Sequence, residues 1–297
     1  MDRAEHNREI YQLTRHYIEV EMLEGKLDIT PYLQPNFPLR YFDTLNDIYN
    51  HLLNHARNRG SGSGGTGKIF GSHYGRNTIG NPSERYRIVR ELLCDFDPHE
   101  ITANWDIYKL FAALKDEPFK LNRPTIPVFG FCSTIITGAN YLCKFKTADE
   151  FYNYFENVSK QPGDQAERMA QKELSGSITG FGPALSLDFL KELGFANYVK
   201  PDVHTMEICY GLGLTKGNKD DRGTVRVMKA IATDAEQTPY SLDRMFWLIG
   251  SGSFGDHDEL PVEHTTWARG KFNNKWQAPK RREKFIEYMK EEIPSLA

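Results

Sequence analysis

An all-α fold is predicted for this 297-residue chain by three observations. Apolar residues recur at helical spacing along most of the chain, helix-start signals follow one another at intervals, and alternating strand patterns are scarce and short. No self-similarity at a solenoid period accompanies them.

The elements follow in order. Residues 5–24 carry Ile10, Leu13, Tyr17 and Val20 at helical spacing, and residues 41–58 carry Leu45, Ile48, Leu52 and Leu53, which predicts two amino-terminal helices within residues 1–58. From 59 to 83 the composition turns to Gly, Ser, Asn and Thr with hardly an apolar residue, the pattern of a flexible loop or linker. The helical pattern resumes at Glu84. Asp97-Pro98 and Asn104 each open a segment, Thr147 opens another with a capping-box arrangement to Glu150, and Thr238-Pro239 places a proline in a first helical turn. The domain division read from these shifts is 1–58, 59–83, a helical core over 84–255, and a basic extension over 256–297.

Hydrophobic residues make up 39% of the chain, and no apolar run approaches the roughly 18 residues a membrane span needs. The stretch MDRAEHNREIYQL lacks the apolar centre and small-residue cleavage site of a secretory signal, so an intracellular location is expected, without a membrane partner. Cys94, Cys132, Cys143 and Cys209 form no CxxC pair, which argues against a zinc ribbon or disulfide framework and for reduced, mostly buried thiols. The net charge of −3 does not advertise a nucleic-acid binder. It conceals a basic carboxy-terminal stretch, with Arg269, Lys271, Lys275, Lys280, Arg281, Arg282 and Lys284, whose ordinary reading is a solvated helix face.

Two glycine-rich stretches compete for a phosphate. Gly62 to Lys68 matches the first seven places of a phosphate loop, but Ile69 stands where a magnesium-binding hydroxyl belongs, and the preceding HLLNHARNR is helical where a strand is required. Around Gly180-Phe181-Gly182 the context is better. Leu174 and Ile178 lead in, Pro183 sits where a helix tolerates proline, and Leu185, Leu187, Phe189 and Leu190 supply helical spacing until Gly194. This reads as helix, hairpin, helix. Its two glycines would turn the backbone with positive φ, and the unpaired amides of the second helix suit one phosphate; a plain helix–helix turn is the other reading. Further on, Asp202 precedes the helical run of Val203, Met206, Ile208 and Cys209, the position of an N-cap.

Hairpin and acid together resemble the helix-hairpin-helix DNA glycosylases, the superfamily that includes the endonuclease III and adenine glycosylase enzymes. The matching strings are LSGSITGFGPALSLDFLKELGF and VKPDVHTMEI, with Asp202 standing 20 residues beyond the second glycine. PVFGFCSTIITGANYLCKFKTADEFYNYF resembles early helices of that fold and SLDRMFWLIGSGSF its late helix, so the resemblance covers roughly residues 85–255. SGSFGDHDELPVEH holds no cysteine where many members bind an iron–sulfur cluster, so none is expected.

The resemblance implies two helical domains, one of them a six-helix type over about 105–198, with an active-site cleft between them. It implies a monomeric enzyme that acts on double-stranded DNA, flips out a damaged or modified base and hydrolyses its N-glycosidic bond. Asp202 is then the catalytic carboxylate. Thr179, Gly180, Phe181, Gly182 and Ala184 form the DNA-binding hairpin, where relatives hold a monovalent cation. Ala184 occupies the place of the lysine that bifunctional members use, which implies a glycosylase without strand cleavage. Lys191 and Lys200 do not match that spacing and read as surface residues. His204 reads as a capping or packing residue. Trp105, Tyr108, Phe129, Phe131 and Trp247 are candidates for stacking on the base, with core packing as the alternative. A non-catalytic DNA-binding module, in which Asp202 only caps a helix, is the competing reading.

Overall fold

In the computed structural model the described residues are 2–35, 38–57, 82–114, 126–252, 254 and 277–296. They form thirteen α-helices with short 3-10 and π turns, and no β-strand occurs among them, as the all-α prediction expects. The phosphate-loop-like stretch and nearly all of the 59–83 segment lie outside the described residues, as do Arg269, Lys271 and Lys275. No helix among the described residues is long and apolar enough to cross a membrane.

The chain divides into two compact units. The first comprises residues 1–39, 161–167 and 190–297; the second comprises 40–160 and 168–189.

The first unit is organised around one helix that is buried almost all round. In order, its helices are α1 (Arg3–His16), α10 (Val203–Gly211), α11 (Asp221–Asp234), α12 (Pro239–Ser251) and α13 (Ala278–Glu292). Within α12, Tyr240, Leu242, Met245, Phe246, Leu248 and Ile249 are fully buried. Such all-round burial marks a core helix rather than a surface one. Thr238 caps it as predicted, with its hydroxyl accepting from the Ser241 amide and Pro239 in the first turn. Helix α1 packs against α11, with the Asn7 side-chain amide donating to Asp234 at 2.6 Å, and against α12, with the Tyr11 hydroxyl donating to Ser241 at 3.0 Å. The predicted helix over 5–24 changes character at Tyr17, where a π turn runs to Met22. The Leu23 amide bonds to the Ile18 carbonyl, and the wider turn leaves Val20 at 45% exposure while Ile18 and Met22 face the core.

The second unit centres on α6 (Ile126–Leu142), against which α2 (Leu45–Arg57), α4 (Pro98–Asn104) and α5 (Ile107–Ala113) pack; α3 (Pro82–Leu92) precedes α4. The Tyr49 hydroxyl donates to the Ile135 carbonyl at 2.7 Å. Asp97 caps α4 as predicted, but Asn104 closes that helix instead of opening one. Asp106 caps α5, because its carboxylate reaches the Tyr108 and Lys109 amides while the Asn104 side chain folds back onto Glu100. Helix α7 (Ala148–Ser159) begins at Thr147, whose hydroxyl accepts from the Glu150 amide at 3.2 Å. The reciprocal arm of the expected capping box is displaced by one residue, since Glu150 accepts from the Lys146 amide. Phe151, Phe155, Phe181 and Phe189 build an aromatic core in this unit, in edge-on and tilted contacts of 4.9 to 6.2 Å. Helices α8 (Gln165–Ser177) and α9 (Pro183–Glu192) carry the chain between units.

Candidate functional site

The predicted helix, hairpin and helix are present as α8, residues 178–182 and α9, with Pro183 in the first helical position. Gly180 takes a φ of +86°, so the turn depends on it. Gly182 is not among the positive-φ residues, which corrects the expectation that both glycines turn the chain this way. A Cβ at Gly182 would meet nothing within 4 Å, and the residue is exposed. Neither local conformation nor packing among the described residues therefore calls for glycine there.

Two threonines one turn apart on α6 fix the hairpin. The Thr134 hydroxyl donates to the Thr179 carbonyl at 2.6 Å, and the Thr179 amide donates to the Thr137 hydroxyl at 2.9 Å. Both backbone groups of Thr179 are thus engaged within the protein. The Phe181 amide is likewise engaged with the Ile178 carbonyl, and its ring is buried against Phe189. At the start of α9 the first-turn amides of Ala184 and Leu185 have no intrahelical acceptor by helix geometry, and they sit at the positive end of the helix dipole. Of the five predicted hairpin residues, Thr179 and Phe181 serve its internal structure, while Gly182 is exposed and Gly180 and Ala184 are half-buried. Replacing Thr134 and Thr137 together with valine is expected to cost about 1–3 kcal/mol in a urea titration, because the Thr179 carbonyl and amide each lose a partner.

Asp202 belongs to the first unit. It caps α10 as predicted: Oδ1 accepts from the His204 amide at 2.8 Å and the Thr205 amide at 3.1 Å. That bonding orients the carboxylate and leaves Oδ2 turned toward the Lys200 ammonium, 3.9 Å away. The side chain keeps 15% of its exposure. The turn before it is doubly tied, since the Lys200 carbonyl accepts from the Asp202 amide at 2.8 Å and the Thr205 hydroxyl at 3.0 Å.

His204 fills the packing role expected of it. Its Nδ1 lies 2.9 Å from the Arg282 guanidinium, and because arginine only donates, Nδ1 is the acceptor and the neutral ring carries its proton on Nε2. Burial holds this imidazole below its usual pKa, against the pull of Asp202. Gly250 on α12 makes room for the ring, where any Cβ would collide with it. Arg282 also pairs with Glu207 at 2.6 Å, and Arg281 donates to the Ile249, Gly250 and Ser251 carbonyls that end α12. The solvated-face reading of the basic stretch fails for these two arginines. Their guanidinium groups turn inward to a helix C-terminus and a carboxylate, both of which favour a cation.

Lys191 also departs from the surface reading. It is 3% exposed, with its ammonium 2.6 Å from Asp243 on α12, 3.8 Å from Glu192 and over the Tyr240 ring. Burial pushes the Asp243 carboxyl up to about 6, Lys191 opposing it. No local signal identifies this pair: FLKELGF and SLDRMFW each set the residue among apolar neighbours but beside a second charged one, Glu192 and Arg244.

The stacking candidates are dispersed. Trp105, Tyr108, Phe129 and Phe131 belong to the second unit and Trp247 to the first. Phe131 is buried, and the Trp105 indole donates to the Leu92 carbonyl at 3.0 Å. Trp247 lies under the Arg244 guanidinium, 4.5 Å from ring centroid to carbon. Tyr108 is 74% exposed, at the open edge of a cluster with Phe129 and Phe111. Among the described residues no group of three or more His, Cys, Asp and Glu could hold a metal ion. Cys132 and Cys209 are buried, Cys94 and Cys143 half-buried, and all four are free thiols. No protein-family model, curated protein or solved structure matches the chain.

Proposed function

We propose that the chain is a DNA N-glycosylase of the helix-hairpin-helix kind, which extrudes a damaged or modified base from duplex DNA and hydrolyses its bond to the sugar. The observation that carries the reading is the geometry of Asp202. Two backbone amides fix one carboxylate oxygen and the other lies 3.9 Å from the Lys200 ammonium, at the sequence distance from a glycine hairpin that the resemblance requires.

As the N-glycosidic bond breaks, the deoxyribose takes on oxocarbenium character, and a fixed carboxylate stabilises that charge without reorganising. Asp202 has this role and helps to position the water that attacks. The amides of Gly180, Gly182 and Ala184 hold a DNA phosphate beside the extruded nucleotide, with room for a monovalent cation. Gly182 supports this part, because its missing side chain leaves space that the protein itself does not use. Ala184 offers no amine, and the Lys191 amine is occupied by Asp243, so the enzyme releases the base without cutting the strand.

The test is a set of duplexes, each carrying one oxidised guanine, N-methylated purine, uracil, hypoxanthine, or adenine opposite oxidised guanine, scored for alkali-labile sites. At least one duplex is expected to gain such sites, with no protein–DNA adduct trapped by borohydride. Tight binding with no base released from any of them would favour the non-catalytic module, a reading that the N-cap role of Asp202 also accommodates.

A further inference from the structure

The buried Lys191–Asp243 pair takes no direct part in base release, yet Asp243 reaches the segment that bears Asp202. Its Oδ2 takes the Lys191 ammonium at 2.6 Å, and its Oδ1 accepts the Lys200 backbone amide at 3.3 Å. The Lys200 peptide is therefore held on both sides. Its amide goes to Asp243, while its carbonyl receives the Asp202 amide and the Thr205 hydroxyl.

An ion pair so deeply buried is a poor source of net stability, because two well-packed apolar side chains would commonly do as well. Its geometry gives it another use. Asp243 is 1% exposed and lies on α12, the most enclosed helix of its unit, so it is a fixed point. Lys191 anchors that carboxylate from α9 with a charge-assisted bond. The peptide it grips is two residues from Asp202, at the mouth of a helix whose first turn Asp202 itself caps.

We propose that Asp243, locked by Lys191, is a positioning residue that holds the Lys200–Asp202 turn and so sets where the Asp202 carboxylate stands. The proposal rests on the glycosylase reading for its consequence in catalysis, though not for the anchoring itself.

The test compares two double variants that both remove the buried charges. Lys191→Met with Asp243→Asn keeps a carbonyl acceptor for the Lys200 amide, whereas Lys191→Met with Asp243→Leu does not. Amide hydrogen exchange over residues 200–205 is expected to stay near wild type in the first and to run about tenfold faster in the second, with α1 and α11 unchanged in both. On the duplex that wild type processes, single-turnover base release in the leucine variant is expected to fall about 10²-fold, because a misplaced catalytic group costs that much, while duplex affinity stays the same. The asparagine variant restores the rate. Should the leucine variant not fold, Asp243→Ser in the Lys191→Met background, too short to reach the amide, gives the same comparison. Equal exchange in the paired variants, or equal base release where wild type is active, would overturn the proposal. Faster exchange in the leucine variant together with no base released by wild type would uphold the anchoring and sink the glycosylase reading instead.

Discussion

Replacing Asp202 with Asn is expected to lower single-turnover base release by about 10²–10³-fold or more, the usual loss when one electrostatic stabiliser is removed from a developing charge. The substitution is chosen because it separates the two roles of this side chain. Asparagine is about as good an N-cap as aspartate, so its carbonyl oxygen can still accept from the His204 and Thr205 amides. Stability by denaturant titration is expected to change by about 1 kcal/mol or less, and duplex affinity to stay within a few-fold. Asp202→Ala is the companion, since it removes cap and charge together. A fall in stability without any activity to lose in either variant would return Asp202 to a purely structural role.

Gly194→Ala is expected to destabilise the protein by about 3 kcal/mol or more, enough to remove much of a typical margin of stability. Gly194 has a φ of +92°, where an L side chain is strained whatever surrounds it. A Cβ there would also stand 2.5 Å from the Leu39 amide nitrogen and 2.7 Å from its Cα. Those atoms are backbone and cannot move aside as a side chain can. The urea midpoint of the variant measures the loss. A Gly25→Ala control, at a φ of +68° with nothing within 4 Å of the added carbon, isolates the conformational part and is expected to cost about 1–2 kcal/mol.

Gly194 also shows what could be read from the residues alone. That a glycine ends the helix begun at Pro183 follows from local chemistry, as do the caps at Asp97, Thr147, Asp202 and Thr238, whose side chains reach amides two or three positions on. Such features depend on a few neighbouring residues. The close approach of residues 38 and 39 to Gly194 does not, nor does the contact between Lys191 and Asp243, 52 positions apart. Lys191 is misread because the general exposure of lysine is a statement about averages, and a partner supplied by a distant helix reverses it. Arg281 and Arg282 are misread for the same reason: the carbonyls, His204 and Glu207 that receive them lie at least 30 positions away. The Asn104 boundary fails differently, since two competing capping residues stand two apart and only one can be used.

The interleaving of the two units bears on how the chain is made. Asn7 of α1 bonds to Asp234, across a sequence separation of 227 residues. During vectorial synthesis α1 leaves the ribosome long before its partner α11. The second unit has all its segments once residue 189 has emerged, so it can close while α1 still waits as a solvated amphipathic helix. Closing so long a loop late makes docking of the amino terminus a slow event, and a nascent chain stalled before α11 leaves Ile10 and Tyr11 without their burial partners.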